Sequence, residues 1–549
     1  MDERFVKKLI APSFVIVVLS TVFFYELKYL FDKIFFKKKH ILIIGILSSP
    51  ENFQQRASIR NTWLKLLTEI SGSAYFIVGN EICEVPILDR PEPYVCISHP
   101  FILPENVTNT TEFTTMDIPI EKIDLTTTHV PTYMGFGFYV RNSIRITKLG
   151  ILREVLELAD SEVQVKLISP SSKRVLASVT FEPLSENQTE SDILLKAIKP
   201  VMLKEYSEAV VMLHISSTNN GLLPDCRRTE WVNLPRVIHF VQLWSNDSVM
   251  PHPYTTKSCT YVSMTYNIAD FNNVKNIVKN RNVRLKEWHL HNKKLSVRLN
   301  NETKNHNDII LVDVVDVYRN ISLKLLNFYK RVLETEYFHY ILKTDDDSFI
   351  DLLRVYNQLR LVSREMDEEM ALTIENKPNG FIAKQRLSKF WWWSFFREFW
   401  KVQHFGKWRE SQYRSASYPT FPCGGGYVVN KGIVDYIASN AENLNHFQGE
   451  DTSMGIWLSS LPVTNYKTSR VVPLNGSHDV QKRIFTKFKL HRGKQPWIKL
   501  KTEHKYPPDI CQWTCTNEEN FLLPSCNRVQ LSVKDMYDTW SNYINNGFL

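Results

Sequence analysis

The sequence predicts an α/β protein built on a parallel sheet, interrupted by an inserted antiparallel β-sandwich and preceded by one transmembrane helix. Three observations carry that expectation. An uncharged apolar run occupies residues 9–25. A strand–helix–strand pattern starts at His40 and the same texture returns after Thr260. Between them the helical period gives way to short alternating strands.

The run LIAPSFVIVVLSTVFFY lies between Lys7–Lys8 and Glu26–Lys28, at the short end of the roughly 17–25 residues a helix needs to cross a bilayer. It ends in bulky Phe and Tyr rather than a small-residue cleavage pattern, so it reads as a signal anchor, not a cleaved leader. Charge counting alone puts the body in the cytosol, because Arg4, Lys7 and Lys8 precede the span and Lys28, Lys33, Lys37, Lys38 and Lys39 follow it. All eight cysteines and seven glycosylation sequons lie after the span, which argues for an oxidising lumen. The expected order is tail (1–8), anchor (9–25), stem (26–39), first part of the α/β domain (40–96), β-rich insert (97–259) and remainder of the α/β domain (260–549).

In the first part, ILIIGILSSP and SAYFIVG are β-branched runs, and Ile59, Trp63 and Leu66 between them keep helical spacing. That is a βαβ unit, which requires a parallel sheet. In the insert, VQVKLIS and RVLASVTF flank a polar turn as a hairpin, followed by EAVVMLHIS and RVIHFVQLWS. No catalytic constellation shows there; a glycan- or partner-binding accessory and a structural insert are both open. After Thr260, TYVSMTY reads as a strand and NIADFNNVKNIVKN as a helix. DIILVDVVD then reads as a buried strand ending in Asp313 and Asp316, and ISLKLLNFYKRVLE as an amphipathic helix. A further buried strand, YILKT, runs into Asp345, Asp346 and Asp347.

With 67 basic and 58 acidic residues, the net charge of +9 is scattered over 549 positions, which excludes nucleic-acid binding as a default. The three aspartates lie where open α/β sheets bind ligands, past the C-terminal end of a parallel strand. Adjacent carboxylates repel unless a cation neutralises them, and carboxylate oxygen suits Mg²⁺ or Mn²⁺. Asp345 and Asp347, one residue apart, are the natural pair; a solvated acidic turn is the alternative. Glu450 and Asp451 open a second acidic centre at an apolar helix start, where acids also serve the helix dipole. Gly424, Gly425 and Gly426 permit close backbone approach to a ligand or a tight turn. Trp391, Trp392, Trp393 and Trp400 suit either sugar stacking or core packing.

The order RASIRNTW, VDVVDVYRNISLKLLNFY, YILKTDDDSFI, YPTFPCGGGYVV, GEDTSMG resembles the inverting β-1,3-glycosyltransferase family of the Golgi and endoplasmic reticulum. The resemblance implies a GT-A, Rossmann-like fold in which Asp345, Asp346 and Asp347 hold Mn²⁺ (or Mg²⁺) and, through it, a UDP-sugar. Asp347 is the implied direct ligand, paired with Asp345; Asp451 is the implied general base, with Glu450 beside it. Arg60 and Gly425 fall in the segments implied to form the nucleotide pocket, and a structural role for Arg60 is equally open. FIVGNEICEVPILDRPEPYVC and GEDTSMGIWL point to members using UDP-GalNAc and acting on a glycoprotein glycan, O-mannosyl in kind, from a type II position in the Golgi or endoplasmic reticulum membrane. A β-1,3-galactosyl- or N-acetylglucosaminyltransferase is the near alternative, and an inactive glycan-binding protein the distant one. Oligomeric state is not legible.

Two departures from the family pattern stand out. The late segment FLLPSCNRVQLS lacks the histidine that often completes the metal shell, and His478 and His491 lie in a separate Lys-rich stretch. A loop expansion, REMDEEMALTIENKPNGFIAKQRLSKF, precedes the tryptophans. Cys83, Cys96, Cys511, Cys515 and Cys526 are bridge candidates whose pairing spacing alone does not fix.

Overall fold

The computed structural model describes residues 38–115, 133–159, 161–183, 192–215, 235–246, 252–254, 261–360, 390–466, 527–528 and 530–546. The expected anchor at 9–25 lies outside these, as do His478, His491, Cys511, Cys515 and Cys526. Among the described residues no helix is long and apolar enough to cross a membrane.

In chain order the elements are β1 (Lys38–Leu47), α1 (Phe53–Asn61), β2 (Gly72–Glu81), then β3 (Phe113–Thr114), β4 (Tyr133–Val140), β5 (Ile144–Leu152), α2 (Arg153–Leu158), β6 (Val163–Ser169), β7 (Arg174–Phe181), β8 (Ile193–Leu203), β9 (Glu208–His214), β10 (Ile238–Asn246), β11 (His252–Tyr254) and β12 (Val262–Ile268). They continue with α3 (Phe271–Lys279), α4 (Arg281–His306), β13 (Ile309–Val315), α5 (Ile321–Thr335), β14 (Glu336–Asp345), β15 (Phe349–Ile350), β16 (Trp391–Arg397), β17 (Phe421–Asn430), α6 (Lys431–Ser439), α7 (Glu450–Leu458), β18 (Thr464–Tyr466), β19 (Asn527–Arg528) and α8 (Val533–Asn546).

The main sheet has seven strands in the order β13-β2-β1-β14-β17-β16-β18. β13, β2, β1 and β14 are mutually parallel, while β17 runs antiparallel to both β14 and β16. The chain moves outward from β1 to β13, then crosses back to place β14 against the other side of β1. Strand order therefore reverses between β1 and β14, and the crevice at their C-terminal ends is the switch point where such sheets bind ligands. Both faces are covered. Leu42, Ile44, Phe76, Leu342 and Trp391 lie in one apolar layer, Ile43, Ile77, Ile341 and Phe328 in the other. The alternation along β1 and β14 is the pleat of a strand buried on both sides.

Between Phe113 and Ile268 two further sheets form, of six strands (β11-β10-β4-β9-β6-β7) and four (β3-β12-β5-β8). All their pairings are antiparallel. Phe136, Val165 and Val211 of the larger and Ile146, Leu149 and Met264 of the smaller belong to one buried cluster. The β6–β7 hairpin is as the sequence predicted. The strand at Val262–Ile268, read from sequence as the return of the α/β texture, instead pairs with β5 and β3, because its buried side chains fit the smaller antiparallel sheet.

Cys83 and Cys96 are disulfide-bonded, and Cys423 on β17 is also in a disulfide. The tryptophans of β16 are core: Trp391 and Trp393 pack on one face of the main sheet and Trp392 on the other. Sugar stacking is therefore excluded for these three.

Helix α7 lies close against β17. A Cβ on Gly455 would sit 2.5 Å from Phe421 Cβ and 2.9 Å from the Thr420 carbonyl. Gly455→Ala must push the helix off the strand, at about 1–3 kcal/mol for an overpacked site. Thermal denaturation should show a clearly lowered Tm; an unchanged Tm would refute this close approach.

Candidate active site

The crevice begins where β14 runs out. Asp345 stands opposite Leu47 in the β1–β14 register, and the Asp346 amide donates to the Leu47 carbonyl at 3.0 Å. Asp346 turns toward the β1–α1 loop, where its carboxylate accepts from Asn52 Nδ2 at 2.8 Å. Asn52 occupies the N-cap position of α1 but makes no side-chain cap, and its amide nitrogen serves Asp346 instead. Burial raises the Asp346 pKa, and the Ser48 and Asn52 hydrogen bonds oppose that rise.

The loop is fixed from beneath by Arg56, which is fully buried. Its guanidinium donates to the Ser48 hydroxyl at 3.0 Å and the Ser49 carbonyl at 2.5 Å, and its charge is met by Glu302 at 2.7 Å. Arg60, expected near the nucleotide pocket, has its guanidinium held by Asp308 at 2.7 and 2.8 Å and by Glu302 at 2.6 Å. The structural half of that reading is the one this geometry favours: Arg60 ties α1 to the end of α4 and the start of β13. The opposite wall is held by Asp316, which accepts from the Gly79 amide at 2.7 Å and from Lys324, whose ammonium also reaches the Ser48 carbonyl.

Lys343 joins the two acidic centres. Its side chain, wholly buried, donates to Asp345 Oδ1 at 2.7 Å, to the Gly424 carbonyl at 2.6 Å and to Glu450 Oε1. Burial disfavours its charge, but Asp345 and Glu450 outweigh that and hold its pKa above the ordinary lysine value. The three glycines lie on β17 itself rather than in a tight loop. Their carbonyls accept from Lys343 (Gly424), the Thr344 hydroxyl at 3.1 Å (Gly425) and the Ser394 hydroxyl at 3.0 Å (Gly426). Gly424 leaves room for the acids: a Cβ there would stand 3.2 Å from Asp451 Oδ2 and 3.3 Å from Glu450 Oε1.

Glu450 and Asp451 form the first turn of α7. Gly449, at φ +91°, precedes them in a conformation that favours glycine, and a Cβ there would lie 2.8 Å from Asp451 Oδ1. Glu450 is buried and committed to Lys343. Asp451 accepts from the Thr452 amide at 2.7 Å. Burial raises its pKa, Glu450 adds to the rise, and Lys343 opposes it, leaving a value of about 7. Asp345 is likewise raised by burial, with Glu450 and Asp347 adding to the rise and Lys343 opposing it.

No three His, Cys, Asp or Glu side chains among the described residues are grouped to hold a metal ion. The pair expected from sequence still suits a hard cation. The Asp345 side chain is 35% exposed and gives only Oδ1 to Lys343, while Asp347 is close enough to push the Asp345 pKa upward. Repulsion between hard oxygen donors that Lys343 offsets only in part fits a cation that keeps waters and takes further ligands from a phosphate. Asp346, directed to Asn52, is a poorer candidate.

Sequence reasoning missed Lys343 and Arg56, which resemble ordinary strand and helix residues until their partners are known. It also missed Tyr318. This phenol lies just before α5, and burial raises its pKa, with Glu450, Asp451 and Asp345 adding to the rise, which places it on the same crevice. A charged residue inside an otherwise apolar strand, as in YILKT, was the available signal.

The galactosyltransferase family matches residues 289–469, which contain both acidic centres. UDP-GalNAc:beta-1,3-N-acetylgalactosaminyltransferase 2 of Xenopus laevis is 32% identical over 440 residues, covering 78% of this chain and 84% of that protein. The Homo sapiens protein of the same name is 31% identical over 445 residues, covering 78% and 81%. Beta-1,3-galactosyltransferase 6 of Mus musculus is 30% identical over 164 residues, covering 30% and 44%. With a metal-suited acidic strand end, a carboxylate pair at the start of α7 and relatives matched over most of their length, the chain belongs to the β-1,3-glycosyltransferase family and is a UDP-sugar hexosyltransferase.

Proposed function

We propose that the chain transfers N-acetylgalactosamine from UDP-GalNAc, with inversion and in β-1,3 linkage, to a terminal GlcNAc of glycoprotein glycans of the O-mannosyl kind. The observation that carries this is the meeting of Asp345 and Glu450 on Lys343, which brings the strand end and the α7 acids into one crevice. The donor is supported by the names of the relatives matched along most of this chain. We read the two antiparallel sheets between Phe113 and Ile268 as a β-sandwich inserted into a GT-A domain.

Asp451 acts as the base. It takes the proton of the acceptor 3-hydroxyl while that oxygen forms its bond to the anomeric carbon and the bond from that carbon to the UDP oxygen breaks. Attack from the face opposite UDP turns an α-linked donor into a β-linked product without an enzyme nucleophile. Lys343 holds the Glu450 side chain in place beside Asp451, and Gly424 keeps the wall behind them thin. Asp345 and Asp347 would hold a divalent cation, whose charge would stabilise the departing diphosphate. Asn52 and Arg56 keep the loop beside Asp346 in place for the nucleotide.

We further assign the chain a type II orientation, anchored by residues 9–25 with the body in the lumen of the Golgi or endoplasmic reticulum. The disulfides at Cys83–Cys96 and Cys423 support this. Asn106, Asn109 and Asn301 are exposed sequon sites.

UDP release from UDP-GalNAc, UDP-Gal and UDP-GlcNAc against a β-GlcNAc acceptor tests the donor, and UDP-GalNAc should give the highest kcat/KM. With that donor, kcat/KM should fall tenfold per pH unit below about 7, because the raised Asp451 carboxyl is protonated there and cannot accept. Asp451→Asn should lose about 10²–10⁴ in rate, the usual worth of a general base, while UDP binding stays intact. Unchanged turnover would remove Asp451 from the mechanism. Asp347→Ala should abolish the Mn²⁺-dependent part of UDP binding in calorimetry; equal affinities with and without Mn²⁺ in the parent chain would defeat the metal assignment. Endoglycosidase treatment should shift the full-length chain on a gel, and Asn106→Gln, Asn109→Gln and Asn301→Gln together should reduce the shift. An unshifted chain places the body in the cytosol.

A further inference from the structure

An exposed aromatic side chain stands on a loop that the inserted sheets and the α7 acids hold in common. Trp408 is 60% exposed. The segment around it is gripped from the insert by Glu208 of β9, which accepts from the Gly406 amide at 2.9 Å and from Arg409 Nη1 at 3.3 Å. On the other side Arg409 donates to Glu92 at 2.6 Å, and Glu92 also takes Arg319 at 3.0 Å. Arg319 donates to the Arg409 carbonyl at 2.7 Å and to Gln448 Oε1 at 2.6 Å, one residue before Gly449, Glu450 and Asp451. Glu410 closes the circuit by accepting the Gln448 amide at 2.6 Å. Lys407, next to Trp408, puts its ammonium 4.3 Å from the centre of the Tyr318 ring, so this loop borders Tyr318, whose electrostatic neighbours include Asp451 and Asp345.

Glu208, Glu92 and Arg409 are largely buried, and together with Arg319 their charges are mutually satisfied, so the loop is preorganised rather than floppy. A flat indole kept open to solvent at the rim of a crevice presents an apolar face to the C–H face of a hexose, while its N–H remains polar.

We propose that Trp408 is the platform for the sugar that precedes the terminal GlcNAc of the acceptor, and that Glu208 of the insert is the positioning residue that holds it there. The insert then completes the acceptor site instead of serving as a separate module. This rests on the transferase reading for the acceptor class, and binding and turnover separate the two.

The test is a calorimetric titration of the full-length chain, in detergent and with UDP and Mn²⁺ present, by chitobiose, alongside donor KM and acceptor KM from UDP release. Trp408→Ala should weaken chitobiose binding about tenfold, the size of one good aromatic contact. The acceptor KM should rise with it and the donor KM should not move. Trp408→Phe should recover most of the affinity. Glu208→Gln should weaken chitobiose in the same direction, and Glu208→Gln with Trp408→Ala should be no weaker than Trp408→Ala alone. Unchanged chitobiose affinity in Trp408→Ala, no chitobiose binding by the parent chain, or full additivity of the two substitutions overturns the proposal. Trp408-dependent chitobiose binding without UDP release from any donor supports the platform and overturns the transferase reading.

Discussion

The site depends on one buried ammonium. Lys343 sits in the middle of an apolar strand, out of contact with water, and its charge is tolerated only because Asp345, Glu450 and the Gly424 carbonyl all receive it. Removing any one of these would leave a charge or dipole unpaired in a low-dielectric interior, which is far costlier than the net gain from forming the contact. The same requirement works in reverse on the acids. Glu450 is buried at the start of α7 because a cation waits beneath it. The strand end and the helix start, more than a hundred residues apart in sequence, are therefore locked to one geometry by electrostatics, with glycines at 424, 449 and 455 permitting the approach.

Much of this was legible beforehand, and what was not has identifiable causes. The parallel strands announced themselves because they are buried on both faces and read as unbroken β-branched runs, and the aspartates stood out by ending one of them. α4 was invisible. Of its 26 residues only Leu295 and Leu299 are buried, so no apolar stripe marks it. β12 was assigned to the wrong sheet because a buried strand looks alike in either, and only pairing decides. Arg56 and Arg60, four apart on α1, could not be ranked from sequence. Both meet Glu302, but only Arg56 continues to the Ser48 hydroxyl and the Ser49 and Pro50 carbonyls and so shapes the loop beside Asp346. The tryptophans of β16 alternate between the two faces of a covered sheet, which makes them core whatever their affinity for sugars.

Ion pairs also join the insert to the body. Sequence pattern marks the boundary between two textures, and a boundary suggests independence, but Glu208 on β9 reaches the loop at Gly406 and Arg409. An exposed linker would tolerate relative motion; a largely buried carboxylate facing a guanidinium that Glu92 also holds does not. The polar contacts then run through Glu92 and Arg319 to Gln448, so the insert and the residues just ahead of Asp451 are constrained by the same charges.

Glu450 and Asp451 are neighbours of the same chemical type, yet their surroundings divide the labour between them. Glu450 is buried and spends an oxygen on Lys343; to serve as a base it would have to abandon that ammonium, and Lys343 would be left with one carboxylate instead of two. Asp451 makes no such ion pair among the described residues. Its backbone hydrogen bond to Thr452 fixes Oδ1, while burial and the adjacent Glu450 charge raise its proton affinity toward neutrality. A carboxylate whose proton affinity is raised is a better base, provided it remains ionised at the working pH, and a value near 7 sits at that compromise. The division requires no special property of either side chain. It follows from which of two consecutive residues at a helix start points at a buried lysine, and that is set by the rotation of about 100° between them.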